Sequence, residues 1–154
     1  MKTVEVFTDG ACSGNPGRGG YGAILKYNGH VRELSEGFKC TTNNRMELLA
    51  AISALEALKE PCKVHLTSDS KYLVDSVNLG WIEKWRKNGW KRTKTEKAKN
   101  IDLLIRLVAQ LERHDVTFSW VKGHHGHTEN ERCDLLATTA AKSENLAEDN
   151  GYEN

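Results

Sequence analysis

Four carboxylates at widely separated positions are the side chains best placed to do chemistry together: Asp9, Glu47, Asp69 and Asp134. Singly, each has an ordinary role, in a turn, a capping box, an N-cap or a solvated helix face. Gathered at one site, two such charges would repel by roughly 4 kcal/mol at a separation of about 4 Å and an effective dielectric near 20. Protonation or a bound cation relieves that repulsion. An all-carboxylate set suits Mg²⁺ or Mn²⁺ better than zinc.

Small residues beside two of these acids favour such a gathering. Each acid shares a helical stripe with alanines: Ala50, Ala51 and Ala54 follow Glu47, and Ala137 and Ala141 follow Asp134. A stripe of small residues lets a helix approach a sheet closely, whereas a surface acid needs no such neighbours. Both helices are therefore expected to bring a carboxylate onto the sheet.

The pattern of elements predicts an α/β fold with a mixed five-stranded sheet and helices on both faces. Strands are expected at 3–8, in "GAILKY", in "HVRELSEGF", at 63–68 and at 116–121, with helices near 44–58, 71–78, 81–88, 100–112 and 129–142. Asp9-Gly10 indicates a turn into a glycine-rich loop, and Asn28-Gly29 a hairpin. Strands 3–8, 63–68 and 116–121 are linked through helices and should be parallel. Ligands bind beyond the carboxyl ends of such strands, where Asp9, Asp69 and Lys122 lie.

The segment "KGHHGHTENERCD", residues 122–134, allows three interpretations. A zinc site would use His124, His127 and Cys133, but no second pair of ligands lies at zinc spacing. Thr128 and Glu131 fit a capping box, with Glu129 favoured by the helix dipole, which leaves Asp134, one turn inside the helix, without a capping role. A loop histidine beside a metal cluster can instead transfer protons near neutral pH, although spacing does not say which one.

Charge is distributed unevenly along the chain. The 154 residues include 22 Lys and Arg against 21 Asp and Glu, yet Trp81–Lys99 holds eight basic residues and two acids. Such a segment is typical of a surface that binds a polyanion, the alternative being a solvated helix face. Trp81, Trp85 and Trp90 interleave with these cations, and the first two share a helix face and could simply pack their own helix. The four cysteines are scattered, and neither a signal peptide nor a membrane-spanning run is present, which favours a cytoplasmic protein with reduced thiols.

Five sequence blocks, in order and at matching spacing from about Val4 to Ala141, resemble bacterial ribonuclease HI. They are "FTDGACSGNPGRGGYGAIL", "TTNNRMELLAAISALEAL", "LTSDSKYLV", "WIEKWRKNGWK" and "WVKGHHGHTENERCDLLA". The resemblance implies a ribonuclease H-like fold and an endonuclease that cuts the RNA strand of RNA–DNA hybrids. It implies two Mg²⁺ ions during catalysis, with Mn²⁺ as a substitute, and products with 5′-phosphate and 3′-hydroxyl ends.

The resemblance also implies roles for individual residues. Asp9, Glu47, Asp69 and Asp134 would hold the metal, and His124 would be the catalytic histidine, with His125 a bystander. The expected substrate contacts are Asn15, Thr42, Asn43, Asn44, Lys71, Trp81, Lys84, Trp85, Arg86, Lys87 and Trp90. Lys71 stands where bacterial members commonly have glutamine. Because an ammonium only donates, contact there should be directed more at phosphate than at hydroxyl groups.

Several alternatives stay open at this point. "GRGGYG", residues 17–22, fits a dinucleotide-binding pattern but leads into a strand; it could let the backbone approach nucleic acid closely or act as a flexible connector. A DNA-cutting integrase-like or junction-resolving nuclease would share the fold. A non-catalytic hybrid-binding module would bind without cleaving. A reverse-transcriptase fragment is disfavoured, because Met1 lies so near the first strand. We expect one domain over 1–142 with a basic protrusion near 81–99, a loose acidic tail over 143–154, and a monomer that binds no membrane.

Overall fold

The computed structural model describes residues 1–123 and 127–153, which form five strands and five helices. In chain order these are β1 (Lys2–Gly14), β2 (Gly17–Tyr27), β3 (His30–Thr41), α1 (Asn43–Glu56), β4 (Cys62–Ser68), α2 (Lys71–Asn78), α3 (Trp81–Lys87), α4 (Ile101–Arg113), β5 (Asp115–Trp120) and α5 (Thr128–Ala141). Within the described part of the chain, no helix is both long and apolar enough to cross a membrane. None of the four cysteines forms a disulfide.

The strands form one mixed sheet in the order β3-β2-β1-β4-β5. β1 pairs antiparallel with β2 and parallel with β4, and β4 pairs parallel with β5. Asn28 and Gly29 make the β2–β3 hairpin with positive φ values of 48° and 84°. The predicted fold class, hairpin and parallel pairings are therefore confirmed.

The glycine-rich segment is a strand, so the expected turn at Asp9-Gly10 and the loop after it are wrong. β1 continues to Gly14, and β2 begins at Gly17. A Cβ on Gly19 would lie 3.2 Å from Met46 of α1, and one on Gly20 would lie 2.6 Å from the Ala137 carbonyl of α5. Because successive strand residues point to opposite faces, α1 and α5 cover opposite faces of the sheet. The glycines thus permit close helix packing, and neither the dinucleotide-loop nor the flexible-connector interpretation holds.

The acidic tail packs against the domain, which corrects the expectation of a loose segment. Ala147 donates its N–H to the Gly37 carbonyl at 2.8 Å, and its own carbonyl accepts from Lys39 N–H at 2.9 Å. Asp149 binds the buried Arg45 guanidinium, with Nε to Oδ2 at 2.7 Å. A basic partner inside the domain therefore fixes a segment whose composition alone suggested solvation.

Helix capping differs from the sequence interpretation at three helices. Thr42 caps α1 by accepting from Arg45 N–H at 3.2 Å, and Ser70 caps α2 by accepting from Leu73 N–H at 3.1 Å. Neither Glu47 nor Asp69 is consequently needed as a cap. At α5 the N-cap is His127, without a side-chain bond, so the Thr128 capping box does not form. Glu129 instead pairs with Lys26 at 2.8 Å.

His114 links three elements and predicts a pH-dependent stability. Its buried ring accepts the Cys62 N–H at Nδ1 (3.0 Å), and its Nε2 lies 3.1 Å from the Leu55 carbonyl. Burial lowers the pKa of His114, and the nearby Arg113 charge lowers it further, against the hydrogen bond to Leu55. The unfolded chain therefore binds this proton more readily, so the stabilisation is complete above about pH 6.5 and is lost as pH falls toward the depressed folded-state pKa.

We expect His114→Gln to weaken the pH dependence of unfolding. Between pH 7 and pH 5, the wild type should lose more free energy of unfolding than the variant, as measured by urea denaturation. His30→Gln, at an exposed histidine of the β2–β3 hairpin, serves as the control and should keep the wild-type profile. Parallel profiles for wild type and His114→Gln would contradict the role of this ring.

Candidate active site

Two carboxylates lie at the carboxyl ends of the parallel central strands. The last residue pair in the β1–β4 register is Thr8 with Ser68, and Asp9 and Asp69 are the residues that follow. Adjacent parallel strands therefore place both acids at one edge of the sheet, as the topology predicted.

Glu47 reaches the same edge because α1 packs almost directly on β1. A Cβ on Gly10 would lie 2.6 Å from the backbone nitrogen of Glu47, so a larger residue there would push the helix away. The alanines of the Glu47 stripe, at positions 50, 51 and 54, are fully buried against the sheet. The expected small-residue interface of α1 is therefore present.

The three carboxylates form one compact cluster. One oxygen from each of Asp9, Glu47 and Asp69 lies within 4.8 Å of the others. Asp9 is 3% exposed and Glu47 4% exposed, while Asp69 is half-buried. Asp9 Oδ1 accepts the Gly10 N–H at 2.9 Å. Within the described residues, Asp9 Oδ2 and Glu47 Oε1 are buried without a hydrogen-bond partner, and buried polar atoms seldom stay unpaired.

The electrostatics of the cluster disfavour full ionisation. Burial, then the charges of Asp69 and Asp134, raise the pKa of Asp9 to about 8, although the Gly10 N–H opposes this. Burial and the charges of Asp9 and Asp69 likewise raise the pKa of Glu47 well above its usual range. Protonation or a divalent cation must therefore balance the cluster at neutral pH. Its all-oxygen donors and two unpartnered oxygens fit a hard divalent cation.

Asp134 lies beside this cluster rather than within it. It is half-buried on α5, and its charge contributes to the raised pKa of Asp9. A Cβ on Gly22 would lie 2.4 Å from the Cys133 carbonyl, so this glycine allows α5 to approach β2 closely. The fourth acid thus flanks the three that converge, on the opposite face of the sheet from Glu47.

The histidine loop is described only in part. His124, proposed as catalytic, and His125 lie outside the described residues. The zinc alternative loses its cysteine, because the buried Cys133 thiol donates to the Phe7 carbonyl at 3.3 Å. Burial, then the Asp9 charge, raises the pKa of Cys133, which disfavours the thiolate that zinc needs.

The four polar residues expected to contact substrate surround the start of α1. Asn15, Asn43 and Asn44 are exposed and Thr42 is half-buried. Asn15 Oδ1 accepts the Asn43 N–H at 3.1 Å, which joins the β1–β2 turn to α1. Thr42 Oγ1 caps α1, and Asn15 Oδ1 joins the turn to the helix. Two of the four side chains therefore have structural roles, and these contacts position Asn43 and Asn44 at the start of α1.

Sequence reasoning missed a charged network below this surface. The Arg45 side chain is 2% exposed and forms two bonds with Asp102, Nη1 to Oδ1 at 2.9 Å and Nη2 to Oδ2 at 2.7 Å. It also binds Asp149, and its Nη1 lies 3.4 Å from Asn100 Oδ1. The available signal was an arginine within the first turn of α1, on the same face as buried residues.

The basic segment contributes an exposed surface with some internal pairing. The Trp81 and Trp85 rings lie 6.2 Å apart at 38°, so they pack on each other along α3. Arg86 reaches Glu112 of α4 at 3.3 Å. Lys84 and Lys87 are exposed, and Trp90 is half-buried against the core. The two lysines are therefore better placed than Arg86 to meet a polyanion.

Lys71 occupies a defined position next to the cluster. Its ammonium lies over the Trp120 ring, 5.2 Å from the centroid. Trp120 in turn donates its indole N–H to the Asp69 carbonyl at 3.0 Å. The cation is thus linked, through one aromatic ring, to the backbone of a carboxylate in the cluster.

Carboxylates gathered at the carboxyl ends of parallel strands, in a chain that also has an exposed basic segment, are typical of metal-dependent phosphodiester hydrolases. Comparison with known proteins narrows this class. The family profile described as RNase H matches residues 1–142. Ribonuclease H of Desulforamulus reducens is 60% identical over 95% of this chain and 92% of its own, and that of Pseudoalteromonas atlantica is 56% identical over 99% of each.

The fold comparison agrees with the sequence comparison. LC9-RNase H1, described as a type 1 RNase H with the type 2 active-site motif, superposes with a TM-score of 0.81. It is 34% identical, and the match covers 92% of this chain and 72% of that one. The protein therefore belongs to the ribonuclease H family, as its sequence blocks indicated.

Proposed function

We propose that the protein hydrolyses the RNA strand of RNA–DNA hybrids as an endonuclease and leaves 5′-phosphate and 3′-hydroxyl ends. The observation that carries the proposal is the Asp9–Glu47–Asp69 cluster, with one oxygen of each acid within 4.8 Å of the others and two buried oxygens unpartnered. The relatives named Ribonuclease H support the same reaction.

The residues that would hold divalent cations are Asp9, Glu47, Asp69 and the flanking Asp134. We propose that two Mg²⁺ ions bind there and that Mn²⁺ can replace them. Such cations, when bound, supply Lewis-acid stabilisation and an activated water for in-line attack at the phosphodiester. The chain itself fixes the carboxylates through close helix–sheet contacts at Gly10 and Gly22. His124 would transfer a proton or assist product departure, a role worth about 10²–10⁴ in rate.

Recognition is proposed to divide between two surfaces. Asn15, Asn43 and Asn44 would read 2′-hydroxyl groups, since amides both donate and accept, and Thr42 would contact a phosphate. The exposed cations of Trp81–Lys99, with Trp81, Trp85 and Trp90 among them, would follow the backbone of the hybrid. If about four phosphates are neutralised there, log K should fall with log[salt] at a slope of roughly −3 to −4.

The reaction and its site can be tested together with an end-labelled RNA–DNA hybrid in Mg²⁺. Duplex RNA and duplex DNA run beside it, with a chelator control and the Asp69→Asn variant. We expect cleavage confined to the RNA strand of the hybrid and lost in both chelator and variant. Preferred cleavage of DNA would indicate a junction-resolving type of nuclease, and tight hybrid binding without cleavage in either metal would indicate a binding module.

We further propose that residues 1–142 act as a single domain and that the protein works as a cytoplasmic monomer. All three clustered acids and Asp134 come from one chain, which supports a site complete in the monomer. Equilibrium sedimentation of the protein with bound hybrid would test the monomeric state, and a dimer required for cleavage would contradict it.

A further inference from the structure

We infer that Lys71, held in place by Trp120, binds a phosphate oxygen of the cleaved strand next to the scissile linkage and makes recognition there depend on backbone charge. The inference rests on the proposed function, because it assigns a specificity residue to that same site. Lys71 would be a substrate-binding residue, and Trp120 a positioning residue that acts through it.

The Lys71 side chain begins next to the carboxylate cluster. Lys71 is exposed at the first position of α2, two residues after Asp69, whose carboxylate belongs to the cluster. A phosphodiester placed for attack at the cluster must therefore lie close to this side chain. A linkage adjacent to the scissile one is the nearest anionic partner that an RNA strand offers.

Trp120 keeps the Lys71 cation available for a substrate. A lysine next to three carboxylates would be drawn onto them, where it would compete with a divalent cation. The Trp120 ring offers the ammonium an alternative, with the nitrogen 5.2 Å from the ring centroid. Within the described residues, no ion pair joins Lys71 to a carboxylate. The cation thus stays beside the cluster without neutralising it.

The Trp120 ring is itself anchored to the backbone. The indole N–H of Trp120 donates to the Asp69 carbonyl at 3.0 Å, and Trp120 pairs with Ser68 at the end of the β4–β5 ladder. Trp120 is 41% exposed, so burial alone does not fix its ring, and this hydrogen bond contributes to its orientation. A single backbone position therefore fixes both the carboxylate of Asp69 and the ring that holds Lys71.

Chemistry decides what the side chain can recognise. An ammonium has three donors and no acceptor and carries a full charge, so a phosphate oxygen satisfies it better than a 2′-hydroxyl group does. We expect one additional phosphate contact from Lys71, and hence about 0.9 more in the steepness of the salt dependence of binding.

The test measures hybrid binding by fluorescence anisotropy in a chelator, so that cleavage plays no part. Lys71→Gln should give a salt slope shallower by about 0.9, while Lys63→Gln, at an exposed lysine near the opposite end of β4, should keep the wild-type slope. Trp120→Leu should shift the slope in the direction of Lys71→Gln. Trp120→Phe should shift the slope less than Trp120→Leu does, because phenylalanine keeps an aromatic face for the ammonium but loses the indole N–H that anchors the ring.

Neutral methylphosphonate linkages, placed singly along the RNA strand, identify the contact. At one position beside the cleavage site, neutralisation should weaken wild-type binding several-fold and leave Lys71→Gln unaffected. The inference would be overturned if the neutral linkage at every position weakened binding equally in wild type and in Lys71→Gln. It would also be overturned if Lys71→Gln kept the wild-type salt slope. A Trp120→Leu variant with the wild-type slope would overturn the positioning role of Trp120. Failure of the proposed function would appear separately, as the absence of hybrid cleavage by the wild type in Mg²⁺.

Discussion

The Asp9→Asn variant should lose at least about 10³-fold in hybrid cleavage and yet melt at a higher temperature than the wild type in a chelator at pH 8. A loss of this size corresponds to about 4 kcal/mol of transition-state stabilisation. It is expected because the cluster would lose one of its three closely spaced carboxylates. The stability gain is expected because two charges within 4.8 Å of each other repel by roughly 3–4 kcal/mol at an effective dielectric near 20.

The pH dependence gives this prediction a second check. The folded-state pKa of Asp9 is raised from 3.8 to about 8, so the folded protein retains a proton that the unfolded chain has released. The stability associated with this group is therefore complete below about pH 4 and is lost as pH rises to about 8. The difference in melting temperature between Asp9→Asn and wild type should consequently grow from pH 5 to pH 8.

Scanning calorimetry with and without Mg²⁺ measures both effects. Mg²⁺ should raise the melting temperature of the wild type more than that of the variant, because a ligand stabilises only the folded state that binds it. Asp115→Asn, at an exposed acid that begins β5, provides the control and should change neither cleavage nor the Mg²⁺ response. An Asp9→Asn protein that melts below the wild type in chelator and keeps its Mg²⁺ response would contradict the cluster as described.

Asp149→Ala should lower the free energy of unfolding by about 3 kcal/mol, although Asp149 lies in the acidic tail. Removal of one partner from a buried ion pair strands the other charge, and such losses are commonly about 3–5 kcal/mol. Arg45 is 2% exposed and Asp149 7% exposed, and Asp149 also accepts from Thr41 Oγ1 at 2.7 Å. The lower end of the range is expected because Asp102 remains bound to Arg45.

Urea denaturation of a matched set tests the network. Glu148→Ala removes an exposed neighbour that pairs with Lys39 at 3.1 Å, and it should change stability very little. Arg45→Met in the Asp149→Ala background should recover part of the loss, since the stranded charge is then removed. Equal effects of Glu148→Ala and Asp149→Ala would show that the tail contributes no specific ion pair.

Much of the fold and the core of the site could be predicted because they depend on local periodicity. The helical spacing around Leu103 and Leu107 predicted α4, and Asn28-Gly29 predicted the hairpin. Asp9 and Asp69 were expected to meet because parallel neighbouring strands end together, and Glu47 because alanines on its stripe admit a close sheet contact. Topology and small-residue spacing were therefore enough to bring three of the four acids together.

What could not be predicted depends on contacts between distant parts of the chain. Glycine has a low intrinsic preference for strands, and the need for it at Gly20 and Gly22 appears only once α5 is packed on β2. The Arg45 network joins residues separated by 57 and 104 positions, which no local pattern records. The contact between Lys71 and Trp120 likewise joins the start of one helix to the end of a distant strand.

The docking of Asp149 onto Arg45 also has a consequence for protein synthesis. Arg45 belongs to α1, whereas Asp149 follows α5 and therefore leaves the ribosome after every described strand and helix. A nascent chain that has already formed α1 therefore holds an incompletely compensated guanidinium until residue 149 has been synthesised. Premature termination before residue 149 would thus leave a chain with every strand and helix present and a stranded positive charge, a defect that cellular quality control can detect as reduced stability.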